Sequence, residues 1–577
     1  MLCNKSNQVH IAFPLHISAC PSNQIITSTM LLTPDSAGLL QLPARLLALS
    51  ALALTCVASY NYIRVLLLRR KLPPGPFPLP VIGNHFRIPY FQPWVQFEEW
   101  SRWYGNPMIT IWLGSRPVIV LNDAWTASDL LEKRADVYSS RPRFVAMGEL
   151  TGSATTNQAS LVYGDQWRLH RKLTHSIVGS HVVRDHRSFQ GDESKILTLE
   201  FLTDPDDYVM SIERYSVSVV SIIGWGRRIA KKNDYVCQKA LETMAVVNYV
   251  IPGWLLVESL PWLADLPAWL YAFPTIVRTI SSHLAKYFLA LNKEAAANNP
   301  NPSFAKAVLE KQPVLGLSDD EVSALTTNLL GAGVDTTSGT LTSTVLALCL
   351  FPEVQAKAQA EMDSVLGETR SPTWEDLDNG RLPYTSALAR EIMRWRTVTI
   401  LGGIPHAPVR DDTYRGYLIP KGTQLTCNTW AIHRNPGDFP DPDTVRPERY
   451  LGSLPGGLAF EYPNSRGHNA FGWGRRQCSG QPLADQSVLM VLARLLWAFK
   501  VEAGVDEKGD PVQLSAFAYN DSENIRPLPF KARFTPRSSK IEELIRSEAR
   551  EAGERLSKFD GDTKLTLESV LATREKL

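Results

Sequence analysis

Residues 471–480 read FGWGRRQCSG and surround a single cysteine, Cys478. Gly474 and Gly480 permit tight turns and a close approach of the backbone to a flat ligand. Arg475 and Arg476 place positive charge beside the thiol, so we expect it to lose its proton easily. A thiolate in such a loop is typical of a metal ligand or a nucleophile. The alternative is a buried structural cysteine.

The composition indicates a globular protein with one large domain. The chain has 577 residues, of which 44% are hydrophobic and 20% are charged, and no Ser/Gly-rich linker divides its middle. A net charge of +2 argues against nucleic acid as the partner. The seven cysteines include no Cys-x-x-Cys pair, which disfavours both a zinc site and a disulfide framework.

An uncharged apolar run from Leu46 to Ile63 predicts one membrane-spanning helix near the N-terminus. Four cations follow between residues 64 and 71. By the positive-inside rule, we expect the short N-terminal side in the lumen and the chain after Lys71 in the cytosol. A cleaved signal peptide is the alternative, which the late start of the run and the following cations disfavour. Residues 73–76, Pro-Pro-Gly-Pro, predict a stiff hinge after the anchor.

The segment 163–172, YGDQWRLHRK, predicts a helix in which Trp167 and Arg171 share one face. An indole N–H and a guanidinium on the same face suit a carboxylate ligand. We expect the other polar residues of this segment to face outward as a basic patch. These residues are Arg168, His170 and Lys172.

The longest predicted helix runs from Asp319 to Leu350, with a capping box formed by Ser318 and Glu321 and a stop at Pro352. Its middle, residues 331–337, reads GAGVDTT, which is a poor choice for helix stability and indicates function. Glycine leaves room for a small ligand, and an acid beside a threonine hydroxyl can transfer protons. Close helix packing through small residues is the alternative.

Strands are predicted over residues 108–112 and 117–121, around the Gly114-Ser115 turn. Two more, over 413–419 and 424–428, are predicted to be joined by the turn at residues 420–422.

Two further helices are predicted over residues 388–396 and 482–498. The second begins just after Cys478, so its N-terminal dipole favours the thiolate.

We divide the chain into four parts. They are an extension (1–41), a membrane anchor with its basic flank (42–71), a catalytic domain (72–537) and a charged C-terminal tail (538–577).

Four separated motifs together resemble those of the cytochrome P450 family and occur in the family's order. The spacing Phe-x-x-Gly-x-Arg-x-Cys-x-Gly resembles its haem-ligand loop, and residues 332–337 resemble its oxygen-activation helix. Trp167-x-x-x-Arg171 resembles a helix that binds a haem propionate. A Glu-x-x-Arg helix followed by Pro-Glu-Arg resembles the family's buried charge network. The resemblance covers roughly residues 72–537.

The resemblance implies a mainly helical fold with a smaller β portion, preceded by one transmembrane helix. It implies that haem b (iron protoporphyrin IX) lies between the long helix and the cysteine loop, with Cys478 as the axial ligand of the iron. Asp335 and Thr336 would deliver protons. The other residues implied to contact haem are Trp167, Arg171, His406, Phe471, Gly474, Arg476 and Gly480. Glu391, Arg394 and Arg449 are implied to form the network that locks the fold behind the loop.

The activity implied by the resemblance is that of a monooxygenase that uses dioxygen and an apolar small molecule. Electrons would come from an NADPH-cytochrome P450 reductase, docked on the basic patch unless that patch is only a solvated helix face. The pattern is most similar to fungal microsomal enzymes of secondary metabolism, which implies a single-pass protein of the endoplasmic reticulum membrane. The alternatives are a haem-thiolate isomerase or dehydratase that needs no external electrons, and a haem-binding protein without turnover.

Overall fold

The computed structural model describes residues 36–250 and 255–572. Of the predicted N-terminal extension, residues 1–35 lie outside the described part of the chain. Of the described residues, those up to Tyr60 belong to one compact unit and those from Asn61 onward belong to a second. The functional residues predicted above all belong to the second unit.

The described residues fold mainly as α-helices, as predicted. The helices are α1 Ser36–Arg69, α2 Pro93–Tyr104, α3 Ala124–Ser128, α4 Ala135–Tyr138, α5 Ser153–Thr156, α6 Asp165–Val178, α7 Arg187–Thr203, α8 Tyr208–Trp225, α9 Tyr235–Val250, α10 Leu256–Ser259, α11 Phe273–Asn298, α12 Phe304–Leu315, α13 Asp319–Leu350, α14 Pro352–Val365, α15 Trp374–Asp378, α16 Pro383–Trp395, α17 Thr429–His433, α18 Gln481–Ala498, α19 Ser539–Leu556 and α20 Leu567–Ala572.

The smaller β portion consists of short strands in three sheets. The strands are β1 Met108–Leu113, β2 Arg116–Leu121, β3 Asp412–Tyr414, β4 Tyr417–Ile419, β5 Gln424–Cys427, β6 Phe499–Ala503 and β7 Ala532–Pro536. One sheet has the order β1-β2-β5, and the pairs β3-β4 and β6-β7 form the other two.

The prediction of a single strand over residues 413–419 is wrong, whereas the strand predicted over 424–428 is present as β5. Residues 412–419 are themselves a hairpin, in which Arg415 and Gly416 adopt left-handed backbone angles, with φ of 49° and 81°. Such a pair matches the twist of a two-residue hairpin, so β3 turns back directly into β4. Strand β5 instead runs parallel to β2, with Val118 opposite Gln424. This contact joins segments about three hundred residues apart, which local sequence patterns do not report.

Helix α13 is the centre of the second unit. It starts at Asp319 after the predicted capping box, in which the Ser318 hydroxyl accepts from the Glu321 backbone N–H and the Glu321 carboxylate accepts from the Ser318 backbone N–H. It ends at Leu350, so both predicted ends are confirmed. It packs against α8, α9, α11 and α18, which is why it is apolar on several faces rather than on one stripe. It is not the longest helix, because α1 has 34 residues against its 32.

Helix α1 contains a stretch, Arg45–Arg69, that is long and apolar enough to cross a membrane. The charge-free run predicted from Leu46 to Ile63 lies within it. Large apolar side chains along this run are exposed, for example Leu54 at 70%. A helix with an apolar surface all round is what a lipid environment stabilises.

Residues 538–572, which belong to the charged C-terminal tail of the sequence-based division, include a helix that packs onto the rest of the second unit. Helix α19 lies against α7 and buries Ile541, Ile545 and Ala549, which are spaced four residues apart. The Arg494 guanidinium, itself buried, donates to the Glu548 carboxylate at 3.0 Å. This segment therefore covers part of the core.

Candidate active site

A cavity of about 310 Å³ lies in the second unit between the cysteine loop and helices α6, α8 and α13. Most of the predicted site residues line it together, although they come from distant parts of the chain. These are Trp167, Arg171, Thr336, His406, Phe471, Arg476, Cys478 and Gly480. Two predicted residues, Gly474 and Asp335, are not in the lining.

The cysteine loop is closed by the Cys478 backbone N–H, which donates to the Phe471 carbonyl oxygen at 2.9 Å. Gly474 has a φ of 54°, and a Cβ atom there would lie 2.1 Å from the Leu131 carbonyl oxygen. The close approach that requires this glycine is thus to the protein's own backbone and not to a ligand. At Gly480 a Cβ would instead lie 4.0 Å from the Cys478 Sγ, facing the cavity side.

The Cys478 side chain is open to the cavity, but protein atoms enclose the cavity itself, and this burial raises the pKa of the thiol. Backbone N–H groups of Gly480 and Gln481, at the start of α18, and the positive charge of Arg171 lower the pKa without cancelling the effect of burial. The expectation of an easily lost proton is therefore wrong for the protein without a metal. Binding of a metal ion deprotonates such a ligand directly.

The arginines next to Cys478 in sequence do not contact its sulfur. Arg475 donates to the Tyr163 hydroxyl at 2.8 Å. Arg476 is buried and donates to three backbone carbonyls, of Ser139 at 2.7 Å, of Gln158 at 3.1 Å and of Leu161 at 2.6 Å. The positive charge that lowers the pKa of the Cys478 thiol therefore comes from Arg171 and not from these two arginines.

Four basic side chains meet in the cavity wall. Besides Arg171, Arg476 and His406 they include Arg141, which the sequence reasoning missed. Arg141 donates to the carbonyls of Ala159, Ile404 and Pro405. No Asp or Glu is among the described residues that line the cavity. Burial lowers the pKa of Arg141 to about 9, of Arg476 to about 8 and of His406 to about 3.

Trp167 and Arg171 lie on one face of α6, as their spacing predicted. The Trp167 ring packs under the Arg476 guanidinium, at 4.5 Å from its centroid. Within the described part of the chain, the Arg171 guanidinium donates from Nη2 to the Gln477 carbonyl oxygen, at 2.6 Å. Its Nε and Nη1 can therefore donate to a ligand. His406 Nδ1 lies 2.9 Å from the Tyr138 carbonyl oxygen, which can only accept, so Nδ1 carries a proton.

Of the three residues predicted to form an exposed basic patch on α6, two are exposed and one is buried. Arg168 and Lys172 are exposed, but His170 is fully buried, and its Nε2 lies 3.0 Å from the Glu321 carboxylate. Burial lowers the pKa of His170 although Glu321 opposes this. This histidine therefore joins α6 to the capping box of α13.

Thr336 lines the cavity and its hydroxyl donates to the Ala332 carbonyl oxygen at 2.7 Å. Asp335 is buried outside the lining, since adjacent residues of a helix point about 100° apart. Its carboxylate accepts from Asn248 Nδ2 at 2.9 Å and pairs with Arg526. Arg526 also pairs with Glu213 of α8, and sequence reasoning found none of these three partners.

The glycines of α13 allow close helix packing as well as leaving room in the cavity. A Cβ atom at Gly333 would lie 2.3 Å from Cγ1 of Val220 on α8, and one at Gly331 would lie 2.9 Å from the sulfur of Met244 on α9. Gly333 also lines the cavity. Close helix packing, which was the alternative explanation from sequence, thus accounts for both glycines.

Comparison with known proteins decides the family. The family model described as Cytochrome P450 matches residues 73–525, which is more than half of the chain. The chain belongs to the cytochrome P450 family.

Fungal relatives match over most of their length. The P450 is 34% identical to Cytochrome P450 monooxygenase 58 of Postia placenta, over 82% of this chain and 90% of the relative. It is 33% identical to Cytochrome P450 monooxygenase yanC of Aspergillus niger, over 89% and 98%. It is 32% identical to Tryptamine 4-monooxygenase of Psilocybe cyanescens, over 84% and 96%. The protein is an enzyme of the cytochrome P450 monooxygenase class.

The cavity of this P450 fits the haem that the family implies. Its wall offers one open thiol, at Cys478, and several cations without a carboxylate among the described lining residues. A macrocycle with two carboxylate groups supplies the missing negative charge, and a thiolate is a known axial ligand of haem iron. The donor set and the charge therefore agree with haem b as the cofactor.

The P450 also contains the predicted charge network behind the cysteine loop. Arg394 donates to both carboxylate oxygens of Glu391, each at 2.8 Å, and Arg449 Nε donates to the same carboxylate at 3.3 Å. All three side chains are buried. Arg394 also donates to the His433 carbonyl oxygen at 2.9 Å, and the Arg446 backbone N–H donates to Glu391 at 3.0 Å. The network thus ties α16 to the segment around residues 433–449.

Proposed function

We propose that this P450 is a membrane-anchored haem-thiolate monooxygenase, which transfers one atom of dioxygen to an apolar small molecule with electrons from an NADPH-cytochrome P450 reductase. The observation that carries the proposal is that Cys478 and Thr336, from separate elements, line one cavity whose wall is cationic. A thiol, a hydroxyl and uncompensated arginines together suit a dianionic macrocycle with a reactive metal.

Each residue then has a distinct task. Cys478 would ligate the iron through its sulfur, and Phe471 and Gly480 shape the loop beside it. The residues that would hold the propionates are Trp167, Arg171, Arg476 and His406. When bound, haem supplies the one-electron and dioxygen chemistry, which no side chain can. Thr336 holds a proton-donating hydroxyl at the cavity surface, and Asp335 exchanges protons from its buried position behind the helix.

The far part of the cavity supports an apolar substrate. Its wall carries aliphatic side chains from α8, α13 and the segment after α16, namely Val219, Val220, Leu329, Val398 and Ile404. Relatives across several fungi, one of them named for a tryptamine substrate, support a role in fungal secondary metabolism, with polyketides, aromatics or terpenoids as the substrate class.

The proposed location is the endoplasmic reticulum membrane, with α1 as a single span and the second unit in the cytosol. The cations that follow the apolar run of α1 support this orientation. The exposed cations of α6, Arg168 and Lys172, support docking of an acidic electron donor there.

The proposal is tested by the difference spectrum of the dithionite-reduced, CO-treated full-length protein, beside Cys478→Ala. We expect a strongly red-shifted Soret band in the wild type only, because the shift reports a thiolate ligand. Cys427→Ala, which removes a buried thiol elsewhere, is the matched control and should keep the band. Haem without the shift in the wild type contradicts the thiolate ligand, and turnover without NADPH and dioxygen contradicts a monooxygenase.

The proton role is tested with Thr336→Ala and a control on the same helix. We expect product per NADPH consumed to fall by about a hundredfold, because a positioned proton donor contributes that much, while NADPH consumption continues. Thr327→Ala removes an equivalent hydroxyl, bonded to the Ser323 carbonyl oxygen at 2.8 Å outside the cavity lining, and should leave this ratio unchanged. An equal loss in both variants would contradict the role of Thr336.

A further inference from the structure

A second depression, which the haem chemistry does not use, lies at the C-terminal end of α1. This groove has a volume of about 440 Å³. Its wall combines the last turns of α1 with the β1-β2 turn at Ser115 and with Leu418 of β4. We call it the anchor groove. The residues contributed by the end of α1 and its flank are Asn61, Arg64, Val65, Leu67, Leu68 and Lys71.

The anchor groove has a fixed shape because this end of the helix is held on the body of the second unit. Val65 and Leu72 are buried against Trp112 of β1 in a small apolar cluster. The Leu418 backbone N–H donates to the Lys71 carbonyl oxygen at 2.8 Å. The Tyr62 hydroxyl donates to the Pro78 carbonyl oxygen at 3.1 Å. These contacts set the distance between the two walls.

The chemistry of the anchor groove is amphipathic and cationic. Arg64 and Lys71 supply two positive charges, Asn61 and Ser115 supply polar groups, and the remaining wall is aliphatic. No Asp or Glu is found among the described residues of this wall. A ligand that matches has an anionic head and a hydrocarbon part, because the head pairs with the cations and the chain covers the leucines.

The place of the groove along the chain selects one source of such ligands. Arg64 is the first charged residue after the apolar run that ends at Ile63. In a helix that spans a bilayer, the first cation after the apolar run lies at the level of the lipid headgroups. The groove would then be exposed to the cytosolic leaflet, whose anionic lipids are the abundant amphipathic anions there.

We propose that the anchor groove is a binding site for one anionic phospholipid. The phosphate and headgroup lie between Arg64 and Lys71, and an acyl chain lies along Leu67, Leu68 and Leu418. This inference rests on the proposed membrane anchoring by α1 and adds to it a specific lipid, bound at the junction between anchor and body.

The experiment is native mass spectrometry of the full-length P450, released from nanodiscs that contain phosphatidylinositol and phosphatidylcholine in equal amounts. We expect one retained phosphatidylinositol, favoured over phosphatidylcholine by about tenfold or more, since two cations near the surface contribute about fivefold each. Lys71→Gln should lower this preference about fivefold. Arg70→Gln is the matched control, because Arg70 is exposed and adjacent in sequence but does not line the groove.

Three outcomes overturn the site. They are no preference for phosphatidylinositol in the wild type, retention unchanged in Lys71→Gln, and an equal loss in Arg70→Gln, which would mean attraction by surface charge alone. Failure of the anchoring itself gives a different result. In that case the wild-type protein would not sediment with phosphatidylcholine vesicles, whereas loss of the lipid site leaves sedimentation intact and removes only the lipid preference.

Discussion

Two buried clusters of arginine in this P450 use the same side chain in opposite ways. In the network behind the cysteine loop, Arg394 and Arg449 share the carboxylate of Glu391. In the cavity wall, the partners of Arg141, Arg171 and Arg476 among the described residues are backbone carbonyls. Both clusters donate hydrogen bonds to the protein, but among the described residues only the first contains an opposite charge.

The difference explains why the pKa of Arg394 responds to burial in the opposite way from the pKa of the cavity arginines. Carbonyl oxygens satisfy N–H groups without neutralising the charge, so burial lowers the pKa of Arg141 and Arg476. For Arg394, the nearby Glu391 carboxylate outweighs burial and raises the pKa. For Arg449, whose hydrogen bond to the same carboxylate is longer, at 3.3 Å, burial still lowers the pKa. The first cluster is complete within the chain. The second is complete only when an anion enters the cavity, which is the task we assign to the haem propionates.

The largest effect is expected from breaking the complete network. Glu391→Gln leaves Arg394 and Arg449 buried without a counter-charge, and removal of one partner from such a group costs about 3 to 5 kcal/mol of unfolding free energy. We expect little soluble protein, and a strongly lowered midpoint in thermal unfolding followed by far-UV circular dichroism.

The matched control is Glu448→Gln. Glu448 lies near this network in sequence but pairs with Lys357 at the surface, where both side chains are about half exposed. Such exposed pairs contribute about 0 to 1 kcal/mol, so this variant should unfold close to the wild type. If Glu391→Gln were no worse than Glu448→Gln, the network would not be what holds the fold together.

The next largest effect is expected from removing a cation of the incomplete cluster. Arg171→Gln should lower haem affinity by about tenfold or more, because the lost partner is a charged donor to a buried carboxylate. The stability of the haem-free protein should stay equal or rise, since one half-buried charge without a carboxylate among the described cavity residues is gone. Haem content per protein, from the Soret band, and thermal unfolding of the haem-free protein measure the two effects.

Arg168→Gln serves as the control, because Arg168 lies on the same helix but points to solvent. It should retain haem like the wild type. The comparison of the two clusters fails if Arg171→Gln destabilises the haem-free protein as Glu391→Gln does and leaves haem content unchanged.

What sequence could predict follows from how local each feature is. The ends of α13 were predictable because a capping box and a proline mark them within a few residues. The loop around Cys478 was recognisable because its glycines, arginine and cysteine lie within ten positions. The residues that such motifs name then meet in one cavity.

The features that sequence missed depend on contacts between distant segments. Arg141 reaches the cavity from an irregular segment without periodicity. Asp335 meets Arg526, 191 residues further along the chain, instead of facing the cavity. His170 was assigned to a solvated face because nothing near it in sequence indicates Glu321 as a partner. The parallel pairing of β2 with β5 was missed for the same reason.

Among the described residues, Glu523 is a buried acidic group without a basic partner, whereas the cavity arginines are basic groups without an acidic partner. Glu523 is buried, and its carboxyl group accepts from backbone N–H groups, among them that of Gly403 at 3.2 Å. Gly403 lines the cavity. Burial raises the pKa of Glu523 to about 8. Like the cavity arginines, the Glu523 side chain is hydrogen-bonded but has no group of opposite charge beside it in the described part of the chain. Because it becomes neutral when it takes up a proton, it can avoid the free-energy cost of a buried charge.

The smallest effect, limited to alkaline pH, is expected from Glu523→Gln. The folded-state pKa of about 8 exceeds the ordinary value of 4.5, so the folded protein binds the extra proton between these values. Stability from this group is therefore complete below pH 4.5 and is lost as pH rises to 8. Glutamine keeps the acceptor oxygen and cannot ionise.

We therefore expect Glu523→Gln to unfold like the wild type near pH 5 and to be more stable near pH 9, by on the order of 1 kcal/mol or more. Thermal unfolding at the two pH values measures this difference. Glu507→Gln, at an exposed loop position, should show no such dependence on pH. If the wild type were as stable as Glu523→Gln at both pH values, Glu523 would be ionised at neutral pH and would have a cationic partner of its own. In that case the cavity arginines would be the buried groups without a counter-charge, and the comparison would hold for cations alone.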